Sequence, residues 1–419
     1  MHDFLYKNSE LHAEDVPIRE IAEKIGTPLY IYSHKTLLRH FNAFKDAFDG
    51  YPHIICFALK ANSNTALLRL LAKKGCGADI VSGGELFIAL KAGIPAKKIV
   101  YAGVGKTEEE IIYALKSRIL MFNVESSDEL IVIDKIAGKL RVKAPIALRV
   151  NPNINTSTHP YISTGLKKHK FGIPIKKALE HYKLASTLPN IRILGIHKHI
   201  GSQITKVSPF VDALKKVLSL AQDLKLQGIN IKYLDIGGGL GISYDDDEVS
   251  PYPHDLAKAI IPLLKTYNFT LIIEPGRSIA GNAGILVTKV LYLKKHHKKE
   301  FVIVDAGMND LIRPSLYEAY HRILPAIKNK RPRITTDVVG PICESGDFLA
   351  RERKINRPVH GDLLAVMTAG AYGFSMSSNY NSRPKTAEVL VKGKNFYIIR
   401  EREIYKDLID GIKIPGFLK

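Results

Sequence analysis

The chain contains no tryptophan, and its 419 residues include only three cysteines, Cys56, Cys76 and Cys343. Thiols so spaced form neither a metal-ligand cluster nor a disulfide framework, and a reduced, cytoplasmic protein is the expectation. Long apolar runs are missing too. Each is cut by Lys, Asp or Pro well short of a membrane span, so no transmembrane helix is expected. The segment from Met1 to Pro17 carries Asp3, Glu10, Glu14 and Asp15 and lacks the apolar core of a secretory leader. Acidic residues are scarce, 41 against 61 Lys and Arg, which leaves a formal charge of +20. Such an excess suits a nucleic-acid or membrane-surface partner. The cations are scattered, however; the densest run, Lys294-Lys295-His296-His297-Lys298-Lys299, reads as a hairpin tip, and no nucleic-acid-binding motif is present. A soluble basic surface attractive to anionic ligands is the expectation, with nucleic-acid binding as the alternative. Neither internal repeats nor low-complexity stretches occur.

What is there is ordinary globular composition, 46% hydrophobic and 24% charged, in a chain long enough for two domains or a barrel with an appended module. After a polar lead-in, Pro28–Ser33 reads as a short strand and the stretch through Phe48 as an amphipathic helix. Strand patterns follow at Ile54–Leu59, Ala78–Val81, Lys98–Ala102, Ile119–Val124, Pro145–Val150, Ile193–His199, Lys232–Ile236 and Thr270–Glu274. Helical patterns lie between them at Thr65–Lys73, Gly84–Ala92, Glu108–Ser117, Ser127–Ile136, Ile175–Leu188, Pro209–Leu226 and Pro253–Lys265. Eight strands alternating with helices over about 220 residues give the arithmetic of a (β/α)8 TIM-type barrel, with a doubly wound sheet as the rival. From Gly284 the pattern changes to short, β-branched segments at Ile285–Leu293, Phe301–Ala306, Thr336–Val339, Leu363–Thr368, Glu388–Val391 and Phe396–Arg400. These predict a second, mostly antiparallel β domain of sandwich or barrel-like form. The expected division is a barrel over 34–280 and a β domain built from 1–33 plus 281–419.

The apolar run from His53 to Leu59 ends in Lys60, where a strand hands over to a helix. A lysine at the mouth of an apolar barrel loses its proton more readily than one in water, which suits imine chemistry; the plain alternative is a snorkelling side chain. Leu234-Asp-Ile-Gly-Gly-Gly-Leu-Gly241 ends the seventh strand and Glu274-Pro-Gly-Arg277 the eighth. Glycines let backbone N–H groups approach a phosphate, and the loops after strands seven and eight are this barrel's usual phosphate cradle. At the sixth strand, His197-Lys-His199-Ile-Gly-Ser202-Gln203 places two histidines on one side by alternation. No carboxylate or cysteine spacing supports a metal there, and no metal is expected. A ring stacked on a planar cofactor, with Ser202 near its phosphate, fits better. An imine lysine, a phosphate cradle, a stacking ring and a carboxylate are the parts that pyridoxal phosphate requires. No G-x-G-x-x-G follows the first strand, so an NAD reading fails.

With these motifs the chain resembles the diaminopimelate decarboxylase family, barrel-type pyridoxal-phosphate enzymes related to ornithine decarboxylase and sharing the barrel of alanine racemase. The likeness runs from about Pro28 to Gly416. It also includes Arg313-Pro-Ser-Leu-Tyr317, Gly340-Pro-Ile-Cys343-Glu344-Ser-Gly-Asp347, Gly370-Ala-Tyr372-Gly373 and the stretch Ser377–Pro384. The resemblance implies that Lys60 carries the pyridoxal 5'-phosphate imine, that His199 stacks on the ring and that Glu274 pairs with the ring nitrogen. It implies that Ser202, Gly238, Gly239, Gly276 and Tyr372 hold the phosphate, with Arg277 at the same rim. Arg277, Arg313, Tyr317, Glu344 and Tyr372 would contact substrate, and Cys343 would donate the proton that replaces carbon dioxide. The Cys343–Glu344 loop would complete the site of a second subunit, so a homodimer with shared active sites is implied.

Residue chemistry favours meso-diaminopimelate over ornithine, since its distal end carries a carboxylate suited to arginine forks and an ammonium suited to Glu344. The expected reaction is decarboxylation of meso-diaminopimelate to L-lysine. The alternatives are a decarboxylase of another basic amino acid or carboxynorspermidine, racemisation, and a non-catalytic pyridoxal-phosphate binder that regulates a partner.

Overall fold

A computed structural model describes residues 2–154, 170–245, 249–297 and 299–418. The polar stretch Thr156–Lys170, which the sequence marks as a long loop, lies outside the described residues except for Lys170. Two compact units emerge, one from Leu38–Ile279 and the other from Met1–Leu37 with Ala280–Lys419.

The first unit is a closed parallel barrel. Its eight strands are His53–Ala58, Gly77–Ile80, Ile99–Tyr101, Met121–Val124, Ala144–Asn151, Ile191–His197, Tyr233–Asp235 and Thr270–Ile273. Each pairs in parallel with the next, and the eighth pairs back onto the first through Leu271–His53, Ile272–Ile54 and Ile273–Ile55. Local sequence sets the helix starts. Asn64, Ser82, Thr107 and Ser126 each accept a backbone N–H from the first turn of the helix that follows, which satisfies donors left over at a helix N-terminus. Part of the buried barrel core is Cys56, Val100, Met121, Ala147 and Ile272, packed with Ile54, Leu194 and Tyr233. That apolar packing leaves the strand ends as the place for polar side chains.

The second unit holds a nine-stranded sheet. Along its main path run Phe348–Asn356, Arg333–Val339, Lys299–Val304, Gly284–His296, Leu29–Ser33, Ala387–Lys392 and Asn395–Arg400. Most pairings are antiparallel, but Lys299–Val304 with Arg333–Val339 and Leu29–Ser33 with Ala387–Lys392 are parallel, so the sheet is mixed. The strand Leu29–Ser33, which precedes the barrel in sequence, sits between Gly284–His296 and Ala387–Lys392. Its five residues are all buried, and Leu29 and Ile31 join a core with Ile285, Val287, Val389 and Val391. Lys294, Lys295 and His296 pair with Phe301, Glu300 and Lys299 across the hairpin that the composition predicts.

Most barrel strands end a residue or two away from the sequence reading, and three of these shifts bear on the rim. The sixth barrel strand stops at His197, so His199 lies in the loop beyond it and strand alternation does not relate the two rings. The eighth stops at Ile273, one residue before Glu274, and Lys60 sits inside a single 3-10 turn, Leu59–Ala61.

Candidate active site

The barrel's C-terminal rim joins its loops through short polar contacts. Lys60 Nζ lies 2.6 Å from Asp79 Oδ2 of the second strand; the lysine side chain is partly exposed and the aspartate fully buried. Burial pushes the Asp79 carboxyl up to about 6, the nearby Glu274 carboxylate pushes it the same way, and the Lys60 ammonium pulls against both. Sequence reasoning passed over Asp79; its signal was a charged residue inside an otherwise apolar four-residue strand.

Glu274, 4% exposed, sits among polar groups from three other strand ends. His197 Nε2 is 3.4 Å from its Oε2, and Asn123 Nδ2 lies 3.4 Å from its Oε1 and 3.3 Å from Asp235 Oδ2. Burial raises the Glu274 carboxyl, but the His197 imidazole and the positive charge of Lys60 outweigh it and hold the group well below the usual carboxylate range. Asp235 goes the other way, lifted by burial and by the Glu274 charge. The two groups are thus pushed apart, Glu274 held as the anion and Asp235 shifted toward its protonated form, as suits two adjoining buried carboxyls. His197, Asp235 and Glu274 offer ligand atoms all within 4.8 Å of one another, a grouping that sequence spacing did not reveal.

The loops after the sixth, seventh and eighth strands pack backbone to backbone. His199 Nδ1 accepts the Gly238 N–H at 3.2 Å, which puts the ring proton on Nε2. Burial, followed by the Arg149 and Lys60 charges, holds His199 well below the usual histidine range, so it is a neutral flat ring at the rim. Arg149 is itself held by Glu125 in a buried ion pair. A Cβ at Gly238 would stand 2.1 Å from the Glu274 carbonyl oxygen, and one at Gly239, whose φ is +106°, 2.3 Å from that of Gly201. Only glycine permits these approaches.

Arg277 Nη2 donates to Ser202 Oγ at 3.1 Å, and its Nη1 donates to the Tyr244 hydroxyl. The N–H groups of Gly239 and Gly276 donate to no acceptor among the described residues. An arginine, a serine hydroxyl and two such amides form the donor set a phosphate takes. With Lys60, a neutral ring and an anionic carboxylate on the same rim, the residues fit pyridoxal 5'-phosphate.

The remaining predicted residues belong to the second unit. Arg313 opens the short helix Arg313–Tyr317 and is 5% exposed. Its Nη1 lies 2.8 Å from His321 Nε2, a partner that sequence reading did not single out. The turn Gly340–Asp347 is shaped by Asp347, whose carboxylate accepts the N–H groups of Met308 at 2.6 Å and Ile342 at 2.7 Å. Cys343 is exposed at its tip, its N–H bonded to Asn381 Oδ1 at 2.7 Å, and the Tyr380 hydroxyl lies 3.4 Å from Glu344 Oε2. Cys56 and Cys76 are buried, and burial pushes both thiols up, Cys76 to about 12. Tyr372 takes a left-handed conformation, φ +56°, in the turn between Gly370 and Gly373.

Residues 34–281 match the family described as pyridoxal-dependent decarboxylase, pyridoxal binding domain. The chain is 54% identical over 405 residues to a diaminopimelate decarboxylase of Aquifex aeolicus, covering 97% of this chain and 96% of that one. It is 53% identical to that of Haemophilus influenzae, covering 97% and 98%. Among solved structures it is similar to the diaminopimelate decarboxylase of Helicobacter pylori complexed with L-lysine, at 45% identity and a TM-score of 0.90 over 94% and 98% of the two chains. The enzyme of M. jannaschii in co-complex with L-lysine aligns over 100% of both chains, at 42% identity and a TM-score of 0.95. By sequence, by fold and by the polar groups gathered on its barrel rim, the chain belongs to the diaminopimelate decarboxylase family of pyridoxal-dependent decarboxylases.

Proposed function

We propose that this protein is a cytoplasmic, pyridoxal 5'-phosphate-dependent carboxy-lyase that converts meso-2,6-diaminopimelate to L-lysine and carbon dioxide. One observation carries the reading. The Lys60 amine, the donor set of Ser202, Arg277, Gly239 and Gly276, and the anionic Glu274 all stand on one rim of one barrel. Bound there, pyridoxal phosphate supplies an aldehyde carbon for amines and a sink for the electron pair released when an α-carboxylate leaves.

The chain's own residues do the rest. Lys60 is the amine that holds the cofactor covalently. His199 offers its flat neutral ring as a stacking surface. Ser202, Gly239, Gly276, Arg277 and Tyr372 would take the phosphate, and Gly238, whose N–H is held by His199, would let the turn close up beside it. Glu274, fixed by His197 and Asn123, would offer its negative charge to the ring nitrogen. An arginine in that place would leave the ring less protonated, as suits a racemase. On the substrate side, Arg277 and Arg313 hold carboxylate, Glu344 takes the distal ammonium, and Tyr317 and Tyr372 fill in around them. Cys343 Sγ gives its proton to the α-carbon once carbon dioxide has gone.

In this reading residues 34–280 carry the cofactor, and 1–33 with 281–419 supply the substrate contacts and the proton. Each site is completed by the Cys343–Glu344 loop of a second copy in a homodimer. The exposed tip that carries Cys343 supports this, as do the outward-facing Tyr405, Ile409, Ile412, Ile414 and Phe417 near the end of the chain. No helix among the described residues is long and apolar enough to cross a membrane.

The test measures carbon dioxide release from meso-diaminopimelate, ornithine, arginine and carboxynorspermidine in parallel. Turnover of the first alone is expected, and preference for any other would overturn the substrate assignment. Lys60→Ala should abolish turnover and lose the covalent cofactor's visible absorbance on dialysis; retention of either refutes the role of Lys60.

A further inference from the structure

We propose that His321 is the positioning residue for Arg313, holding the guanidinium as a neutral imidazole whose proton sits on Nδ1. The inference rests on the reading that Arg313 binds the substrate's distal carboxylate, and it adds a residue to that site.

Two hydrogen bonds fix the assignment. Arg313 Nη1 stands 2.8 Å from His321 Nε2, and His321 Nδ1 stands 2.9 Å from the Met367 carbonyl oxygen. A guanidinium has donors only, so Nε2 accepts; a carbonyl accepts only, so Nδ1 donates. One neutral tautomer satisfies both bonds, and an imidazolium would set an N–H against an N–H inside a buried pair. His321 is fully buried and Arg313 5% exposed, so water does not replace either bond.

The anchor is itself tied down. Met367 follows the strand Leu363–Val366, and its N–H donates to the Arg322 carbonyl at 2.8 Å. Arg353 Nη1 donates to the His321 carbonyl at 2.8 Å, and its guanidinium lies 3.9 Å from the centre of the Tyr320 ring. The imidazole is thus a rigid strut between the sheet and Arg313. The arginine spends one donor on it, and its direction is set before substrate arrives. Orientation fixed in advance lowers the cost of binding and leaves the chemical step alone, because the distal carboxylate does not change charge when carbon dioxide leaves the other end.

The experiment compares His321→Gln, His321→Asn and His321→Leu with Arg313→Ala, in the full-length holoenzyme with meso-diaminopimelate. Gln keeps an acceptor near the Nε2 position, whereas Asn reaches only the Nδ1 position. The expected result is a KM raised about tenfold or more for Asn and Leu, near the wild-type value for Gln, with kcat within about twofold for the three His321 variants. Visible cofactor absorbance, followed in parallel, should be unchanged for Gln and Asn, while each gives up one buried hydrogen bond and melts a few degrees lower.

Equal KM effects in all three variants, or a fall in kcat that matches the rise in KM, overturns the assignment. So does a lower melting temperature with KM unmoved in both Asn and Leu, which makes His321 structural only. If Arg313→Ala raises KM and His321→Asn does not, the strut fails while the substrate reading stands; if Arg313→Ala leaves KM unmoved, the substrate reading of Arg313 fails.

Discussion

Lys198 is a buried charge that the chemistry does not use. Its side chain is 1% exposed, with Nζ 5.2 Å from the Phe210 ring centre, and burial lowers its pKa to about 7 against a partial pull upward by Asp235. The unfolded chain therefore binds one more proton than the folded one between pH 7 and the ordinary lysine value of about 10.5. Stability must rise with pH across that window, and the slope should vanish below it. Lys198→Met is expected to remove the slope and to stabilise the fold at pH 7 by about 1–4 kcal/mol, measured by denaturant unfolding at several pH values. A loss of stability at pH 7 would mean that the ammonium has an anionic partner after all. The exposed thiol makes the opposite kind of prediction. Cys343→Ala should leave folding and cofactor absorbance intact while slowing product formation by about a hundredfold or more, since general-acid catalysis typically supplies that much.

At the scale of elements, the turn after the seventh strand is the tightest constraint on the barrel rim. Gly238→Ala should cost about 1–3 kcal/mol in thermal unfolding and weaken cofactor loading, because the added methyl must displace the Glu274 backbone. An unchanged melt would mean that the loop relaxes freely. This turn also marks how far the sequence was readable. Barrel helices were legible because their caps are written locally: Ser82 with Glu85, Thr107 with Glu110 and Ser126 with Glu129 announce each start. Barrel strands were legible as short apolar runs between them. Phe348–Asn356 was missed because it is an edge strand, where Arg351, Glu352 and Lys354 face solvent and carry no alternation. Of the site, the residues carried by glycine or cysteine motifs could be read in order. Asp79, Asn123 and His321 could not: Asp79 and Asn123 meet Lys60, Asp235 and Glu274 only through the closure of the barrel, and His321 is defined by the fold that brings Arg313 and the Met367 carbonyl to its two ring nitrogens.

At the scale of the whole molecule, the proposal of shared sites makes a quantitative prediction. Neither Lys60→Ala nor Cys343→Ala homodimers should turn over at an appreciable rate. Refolding the two together should give mixed dimers in which one site keeps both native residues, restoring up to about a quarter of wild-type activity. No recovery on mixing would place Lys60 and Cys343 of one site on the same chain. Substituting Tyr405 and Phe417 with Asp should yield monomers by sedimentation, and full activity in such monomers would equally end the shared-site reading.

The strand Leu29–Ser33 has a consequence for biogenesis. It is made before the barrel, yet both its neighbours in the sheet are made only after it. On the ribosome the barrel can close as soon as it emerges, whereas the early strand must wait, unpaired, for partners hundreds of residues later. Moving residues 1–33 to follow Lys419 would let that sheet be synthesised in one piece, and such a permutant should refold faster than the natural order.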